Sequence, residues 1–332
     1  MSNAQIGRLH WIDVLKGIGI FLVVLGHIGM GNLLQRWIYS FHMPMFFMLS
    51  GMLWAGRRGL SSNFMDFLKK RTISLLIPYV LFRLLLFVYW LCIESHFRAL
   101  DLGPIWFLIV LYADELIVFL LSRKFRNAAV SYVVLFIISS AVLYVCDVFH
   151  FSSNNAFSAW FTRIADGMMW YLAGCVCSLF KERLLRKHNT ILILAALNSV
   201  AVSQINAEVS MWSNVFGFIP LYILGGLSGT AFLMCLCKEV IKGNRLTEWY
   251  GRNTVIILAT HEPIKRVVLK CIEWTCCKIG ICVSVENLQK NIWSALLVVV
   301  IVFAMEVLVI RVFRLIKNEC PFAGKKILSF VH

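Results

Sequence analysis

Histidines at positions 27, 42 and 261 each sit in or directly beside a long apolar stretch of the chain. Histidine ionises nearest neutrality and is the usual base for activating a hydroxyl. His27 belongs to a set, because Asp13 and Lys16 precede it in the same run. Eleven positions bring a helix back to within about 20° of the same face, so Lys16 and His27 share a side, about 16 Å apart along the axis. Asp13 lies within about 60° of that stripe, and Gly17 and Gly19 beside it permit close approach of a second helix. If the next apolar run begins near Ile38, His42 stands about one turn inside it, at a depth matching His27. Pro44 then falls in the first turn, where proline does least damage, and Ser50 and Gly51 follow.

A second cluster is Thr260-His261-Glu262-Pro263, with Lys265 and Arg266 after it. Pro263 predicts a kink or a helix end. Either the helix stops there and its polar residues meet water, or His261 and Glu262 line the same cavity as His27. Arg83, Trp106, Asp114 and Glu115 also need partners or water, and Arg83 with Glu115 or Asp114 is the expected pair. Taken singly, Asp13 and Lys16 fit an ion pair at a helix start, and His27 an interfacial histidine bonded to a loop carbonyl. Taken together, they join a basic surface that suits phosphate groups to a base deeper inside. That geometry serves group transfer, and it leaves the group unnamed.

These side chains must be carried by membrane helices. Of the 332 residues 60% are hydrophobic and 15% charged, with a mean hydropathy of +0.79. A soluble domain has too little interior to hide that much apolar surface. Spans of roughly 20 residues fall near 12–31, 38–54, 72–93, 104–121, 129–147, 164–180, 190–204, 215–237, 253–270 and 292–314. The seventh is short and the ninth charged, so nine or eleven crossings remain compatible. The runs are too long and continuous for barrel strands. The expected fold is therefore all-α, a polytopic transmembrane helical bundle of about ten helices forming one domain over 1–332. Asp13 and Lys16 interrupt the first run and no small-residue cleavage site follows, so it is expected to stay as a helix rather than leave as a signal peptide.

The net charge of +15 is unevenly placed. Alternating the connections by side puts twenty-two basic residues with the N-terminus: Arg8, Arg57, Arg58, Lys69, Lys70, Arg71, Arg123, Lys124, Arg126, Lys181, Arg183, Arg186, Lys187, Lys238, Lys242, Arg245, Arg252, Arg311, Arg314, Lys317, Lys325 and Lys326. Five lie opposite: Arg36, Arg98, Arg163, Lys278 and Lys290. This positive-inside bias places both termini in the cytoplasm. It assigns the charge to topology and membrane lipid, with nucleic acid not expected as a partner. Among eleven cysteines there is no Cys-x-x-Cys pair or zinc-like spacing. No metal is expected, although Cys271, Cys276, Cys277 and Cys282 cluster where two of them could pair. Connections are short, the longest expected over 271–291, and internal repeats are absent.

The stretch Trp11-Ile-Asp-Val-Leu-Lys-Gly-Ile-Gly-Ile20 with Val24-Leu-Gly-His27 resembles the opening of the membrane acyltransferase-3 family, closest to its fucose 4-O-acetylase-like branch. The segment Ser40-Phe-His-Met-Pro-Met-Phe-Phe-Met-Leu-Ser-Gly51 is similar to that branch's second-helix motif. Phe67-Leu-Lys-Lys-Arg71 with Ile77-Pro-Tyr79 resembles its basic loop, and weaker echoes are Ile105-Trp-Phe-Leu108, Gly251-Arg-Asn-Thr254 and the His261 region. The resemblance implies a multi-pass protein of the inner (cytoplasmic) membrane. It also implies transfer of an acyl group, usually acetyl from acetyl-CoA, to a hydroxyl of a surface polysaccharide or lipid-linked precursor, with no bound cofactor. Lys16 and His27 then map onto the family's basic residue and histidine, and Lys70 and Arg71 onto positions near the donor's phosphates. On this reading His27 is the base, His42 assists and Asp13 holds Lys16. Ser50, Arg83, Trp106, His261 and Glu262 stand as supporting residues. Many relatives carry arginine where Lys16 stands, and lysine lacks its bidentate fork. A transporter or flippase, a succinyl donor and a non-catalytic partner are the competing readings, and a covalent acyl-enzyme is left open.

Overall fold

The computed structural model describes residues 10–29, 32–56, 63–93, 103–125, 127–179, 188–280 and 284–319. The basic positions Arg8, Arg57, Arg58, Arg98, Arg126, Lys181, Arg183, Arg186, Lys187, Lys325 and Lys326, and Cys282, lie outside them. The described residues are helical throughout, apart from turns and one isolated bridge between Ser210 and Val215. The first four helices are α1 (His10–Ile28), α2 (Asn32–Gly56), α3 (Phe64–Cys92, with a π turn over Thr72–Leu76) and α4 (Gly103–Ser122, opening in a 3₁₀ turn). Next come α5 (Ala128–Val148), α6 (Ala156–Leu179), α7 (His188–Ile205) and α8 (Ile219–Ile241, ending in a π turn). The chain closes with α9 (Arg245–Arg252), α10 (Thr254–Lys278), α11 (Val285–Lys290) and α12 (Ile292–Glu319).

Six of these, α1, α3, α4, α5, α8 and α12, are long and apolar enough to cross a membrane. On α3 the stripe Val80, Leu84, Val88 and Leu91 is exposed, and every member is apolar. Such a stripe belongs against lipid. In contrast, α1 is mostly buried. It is ringed by α2, α9, α10 and α12, so its polar groups face protein. The remaining expected spans coincide with α2, α6, α7 and α10. Of these, α7 has only a shorter apolar stretch, Leu192–Ile205. The others carry polar residues within the helix: Gln35, Arg36 and His42 on α2, Arg163 and Asp166 on α6, and His261 to Arg266 on α10.

Where α1 meets α9, a Cβ on Gly17 would strike the Thr247 backbone, and one on Gly251 would strike the backbone of Asp13. Glycine at both positions lets the two backbones touch. The short helix α9 starts on Asn244, whose side chain accepts from the amides of Leu246 and Thr247 at 2.9 and 3.4 Å, a standard N-cap.

Four expectations are corrected. Helix α2 begins at Asn32, so Pro44 lies in its interior and His42 sits about two to three turns inside. Helix α10 continues through Pro263, as the expected span 253–270 requires, and ends at Lys278 rather than near 270. The stretch expected as the longest connection is largely helical, in α10 and α11. The partner of Glu115 is Arg71, with Nε 2.7 Å from Oε2, and not Arg83. Proline interrupts the backbone ladder of an apolar helix without ending it when neighbouring helices pack around the freed carbonyl. Cys271, Cys276 and Cys277 are free thiols.

Candidate active site

One face of α1 organises the site. Lys16 and Ile20 line a cavity of about 300 Å³, and Val23 and His27 line a smaller chamber of about 50 Å³. Spacings of four, three and four residues keep all four side chains on one stripe. Lys16 and Arg252 are the cations in the cavity wall, and Phe46, Phe107 and Leu111 are among the side chains that make it largely apolar. The chamber holds His27, His42, Tyr39 and Trp106. Met43 of α2 and Leu258 of α10 line both spaces, so these two side chains are the partition between them.

The histidines are fixed by the helices that carry them. His42 Nδ1 donates to the Ile38 carbonyl at 2.8 Å, and His261 Nδ1 donates to the Ile257 carbonyl at 2.8 Å. A carbonyl only accepts, so each Nδ1 carries the hydrogen and each neutral ring presents a lone pair at Nε2. Both residues occur as His-x-Pro inside a helix: His42-Met43-Pro44 and His261-Glu262-Pro263. The Nε2 of His261 is buried without a hydrogen-bond partner, and its ring centroid lies 5.2 Å from that of His27. Tyr39 stands between the other two, 6.2 Å from the His27 ring and 5.0 Å from that of His42.

Lys265 locks α10 to the end of α1. Its ammonium donates to the carbonyl of His27 at 2.9 Å and to Glu262 Oε2 at 2.7 Å, with the side chain buried. A cation at the last carbonyls of a helix also matches the negative end of the helix dipole. Ligand-capable atoms of His27, His261 and Glu262 lie within 4.8 Å of one another. However, both oxygens of Glu262 already bind cations, Oε2 to Lys265 and Oε1 to Arg266 Nε at 3.0 Å. The ammonium supplies the positive charge that a metal would bring, and this donor set fits a held histidine better than a metal centre.

The other candidate residues divide. Ser50 joins Lys16 in the cavity, and its hydroxyl donates to the Phe46 carbonyl at 2.9 Å. Trp106 is in the chamber wall. Asp13 is buried, with Oδ2 3.5 Å from Arg252 Nε. Arg71 is drawn to Glu115, and Lys70 is exposed one turn before the cavity residues Ser74 and Leu75. Arg83 lines neither space. Arg252, Tyr39, Met43 and Leu258 were not expected at the site. Arg252 and Met43 lie in stretches noted in the sequence, Gly251-Arg-Asn-Thr254 and Ser40–Gly51; Tyr39 and Leu258 carried no such signal.

A family model described as an acyltransferase domain matches residues 9–311. No curated protein and no solved structure matches the chain.

Proposed function

This chain belongs to the acyltransferase-3 family, and from that premise we propose that it is a multi-pass O-acyltransferase of its fucose 4-O-acetylase-like branch, moving acetyl from cytoplasmic acetyl-CoA to a hydroxyl of a cell-envelope carbohydrate. About ten helices cross the inner membrane, with both termini in the cytoplasm. The observation that carries the reading is the pair of spaces on one face of α1, a ligand-sized cavity and a histidine chamber separated by Met43 and Leu258. A cavity of about 300 Å³ is at the lower end of ligand sites. Its cations, Lys16 and Arg252, suit the donor's phosphates, with Lys70 and Arg71 nearby on α3. Its apolar interior suits the thin arm that ends in the thioester.

The thioester reaches the chamber past Met43 and Leu258. His27 takes the proton of the acceptor hydroxyl as its oxygen attacks the thioester carbonyl. Before that step the hydroxyl docks by donating to the lone pair on His42 Nε2 and then turns its hydrogen to His27, while His261 steadies the His27 ring. As the tetrahedral adduct collapses, the C–S bond breaks and the ester forms. The thiolate takes the proton back from His27 and leaves as free CoA. Mass spectrometry of envelope glycans from cells with and without the protein tests the acceptor class. Loss of an acetyl-sized mass difference is expected, and identical glycans contradict the reading.

A further inference from the structure

The connection from α7 to α8 carries none of the motifs noted in the sequence, yet it is a built element. The side chain of Asn206 accepts from the Phe218 amide at 2.8 Å and donates to the Phe216 carbonyl at 3.1 Å. Gly217, at φ +63°, turns the chain against that side chain. Between them, Ser210 and Val215 exchange backbone hydrogen bonds of 2.7 and 3.0 Å. Two arginines pin the loop from outside. Arg36 donates to the Asn206 carbonyl. Arg163 donates to the Trp212 carbonyl at 2.8 Å and lies 4.2 Å over the Trp212 ring.

This loop has two working sides. Ser210, Met211 and Trp212 wall the histidine chamber, while Glu208 and Val209 line a separate pocket of about 270 Å³ with Gln35 and Arg36 of α2. Tyr39 lines both, so it divides the chamber from the pocket as Met43 and Leu258 divide it from the donor cavity. Size then decides what goes where. Each water-sized group needs roughly 10–15 Å³ of such volume, so a chamber of about 50 Å³ admits a hydroxyl and an acetyl group but no sugar ring. The ring must stay beyond Tyr39.

We propose that the pocket formed by Gln35, Arg36, Tyr39 and Glu208 is a carbohydrate subsite, which holds the acceptor ring while one hydroxyl reaches past Tyr39 to His27 and His42. The assignment rests on the acyltransferase reading of the same site. A carboxylate, an amide, a guanidinium and a phenol around one space offer donors and acceptors together, which complements the vicinal hydroxyls of a sugar. One positive and one negative side chain balance, so an uncharged ring fits better than an anion. Glu208 is exposed and makes no hydrogen bond or ion pair among the described residues, leaving both oxygens for a ligand. Arg36 is held in place by Asn206.

Ligand-observed NMR with methyl hexopyranosides, on full-length protein in detergent without donor, tests this directly. Wild-type protein is expected to bind at least one glycoside. Glu208→Gln should weaken that binding about tenfold, as loss of one charge-assisted hydrogen bond does, and Glu286→Gln, on the remote helix α11, should leave it unchanged. No binding by the wild type, or equal binding by Glu208→Gln, overturns the subsite. Glycoside binding without acetyl transfer from acetyl-CoA supports the subsite and instead sinks the proposed reaction.

Discussion

At the residue scale the site turns on which nitrogen of each histidine carries the hydrogen. Because His42 Nδ1 is committed to Ile38, the two amide replacements of this histidine should separate. Asparagine places its amide near the Nδ1 position and keeps that bond while losing the Nε2 acceptor; glutamine reaches towards the Nε2 position. We expect His42→Asn to lower kcat about tenfold to a hundredfold with the KM for acetyl-CoA unchanged, and His42→Gln to lose less. Equal losses would remove Nε2 from the account. Arg252→Ala, in the cavity wall, should instead raise the KM for acetyl-CoA about tenfold and leave kcat nearly intact. His27 and Lys16 were legible in the sequence because a charged stripe on an apolar helix is costly and therefore informative. Tyr39, Met43 and Leu258 were not, since such residues fill any membrane helix and only packing gives them a role.

At the level of the elements, Lys265 joins α10 to α1 through a capping bond to the His27 carbonyl, and a buried ion pair with Glu262 on its own helix holds it there. Removing one partner of a buried pair costs about 3–5 kcal/mol. Lys265→Met should therefore lower the thermal unfolding midpoint in detergent by several degrees, more than the exposed Lys290→Met, and an unchanged midpoint would show that the contact is dispensable. Helix type and position were readable from apolar runs, whereas ends and partners were not. Pro44, expected in a first turn, lies well inside α2, and of the two readings of Pro263, kink or end, the end is excluded because α10 continues through it. Arg83 was expected to pair with Glu115 or Asp114. The approach of α3 to α4 brings Arg71 there instead, and sequence spacing carries no information about which helices touch.

For the whole molecule, the claim is a path through the bilayer in three spaces: donor cavity, histidine chamber and carbohydrate pocket. It requires the basic end of α1 to face the cytoplasm. A green fluorescent protein fused after His332 should fluoresce, and alkaline phosphatase fused there should be inactive; active phosphatase would invert the topology and with it the direction of transfer. The helical bundle was legible from composition and the apolar runs. The series of spaces was not, because it depends on α2, α10 and the α7–α8 loop converging on one face of α1.

The most direct measurement is acetyl transfer from radiolabelled acetyl-CoA to an envelope glycan extract by protein reconstituted in vesicles, comparing the wild type with His27→Ala. Removing a general base is predicted to slow transfer about 10²- to 10⁴-fold while CoA still binds. Transfer by His27→Ala at near the wild-type rate would contradict the account.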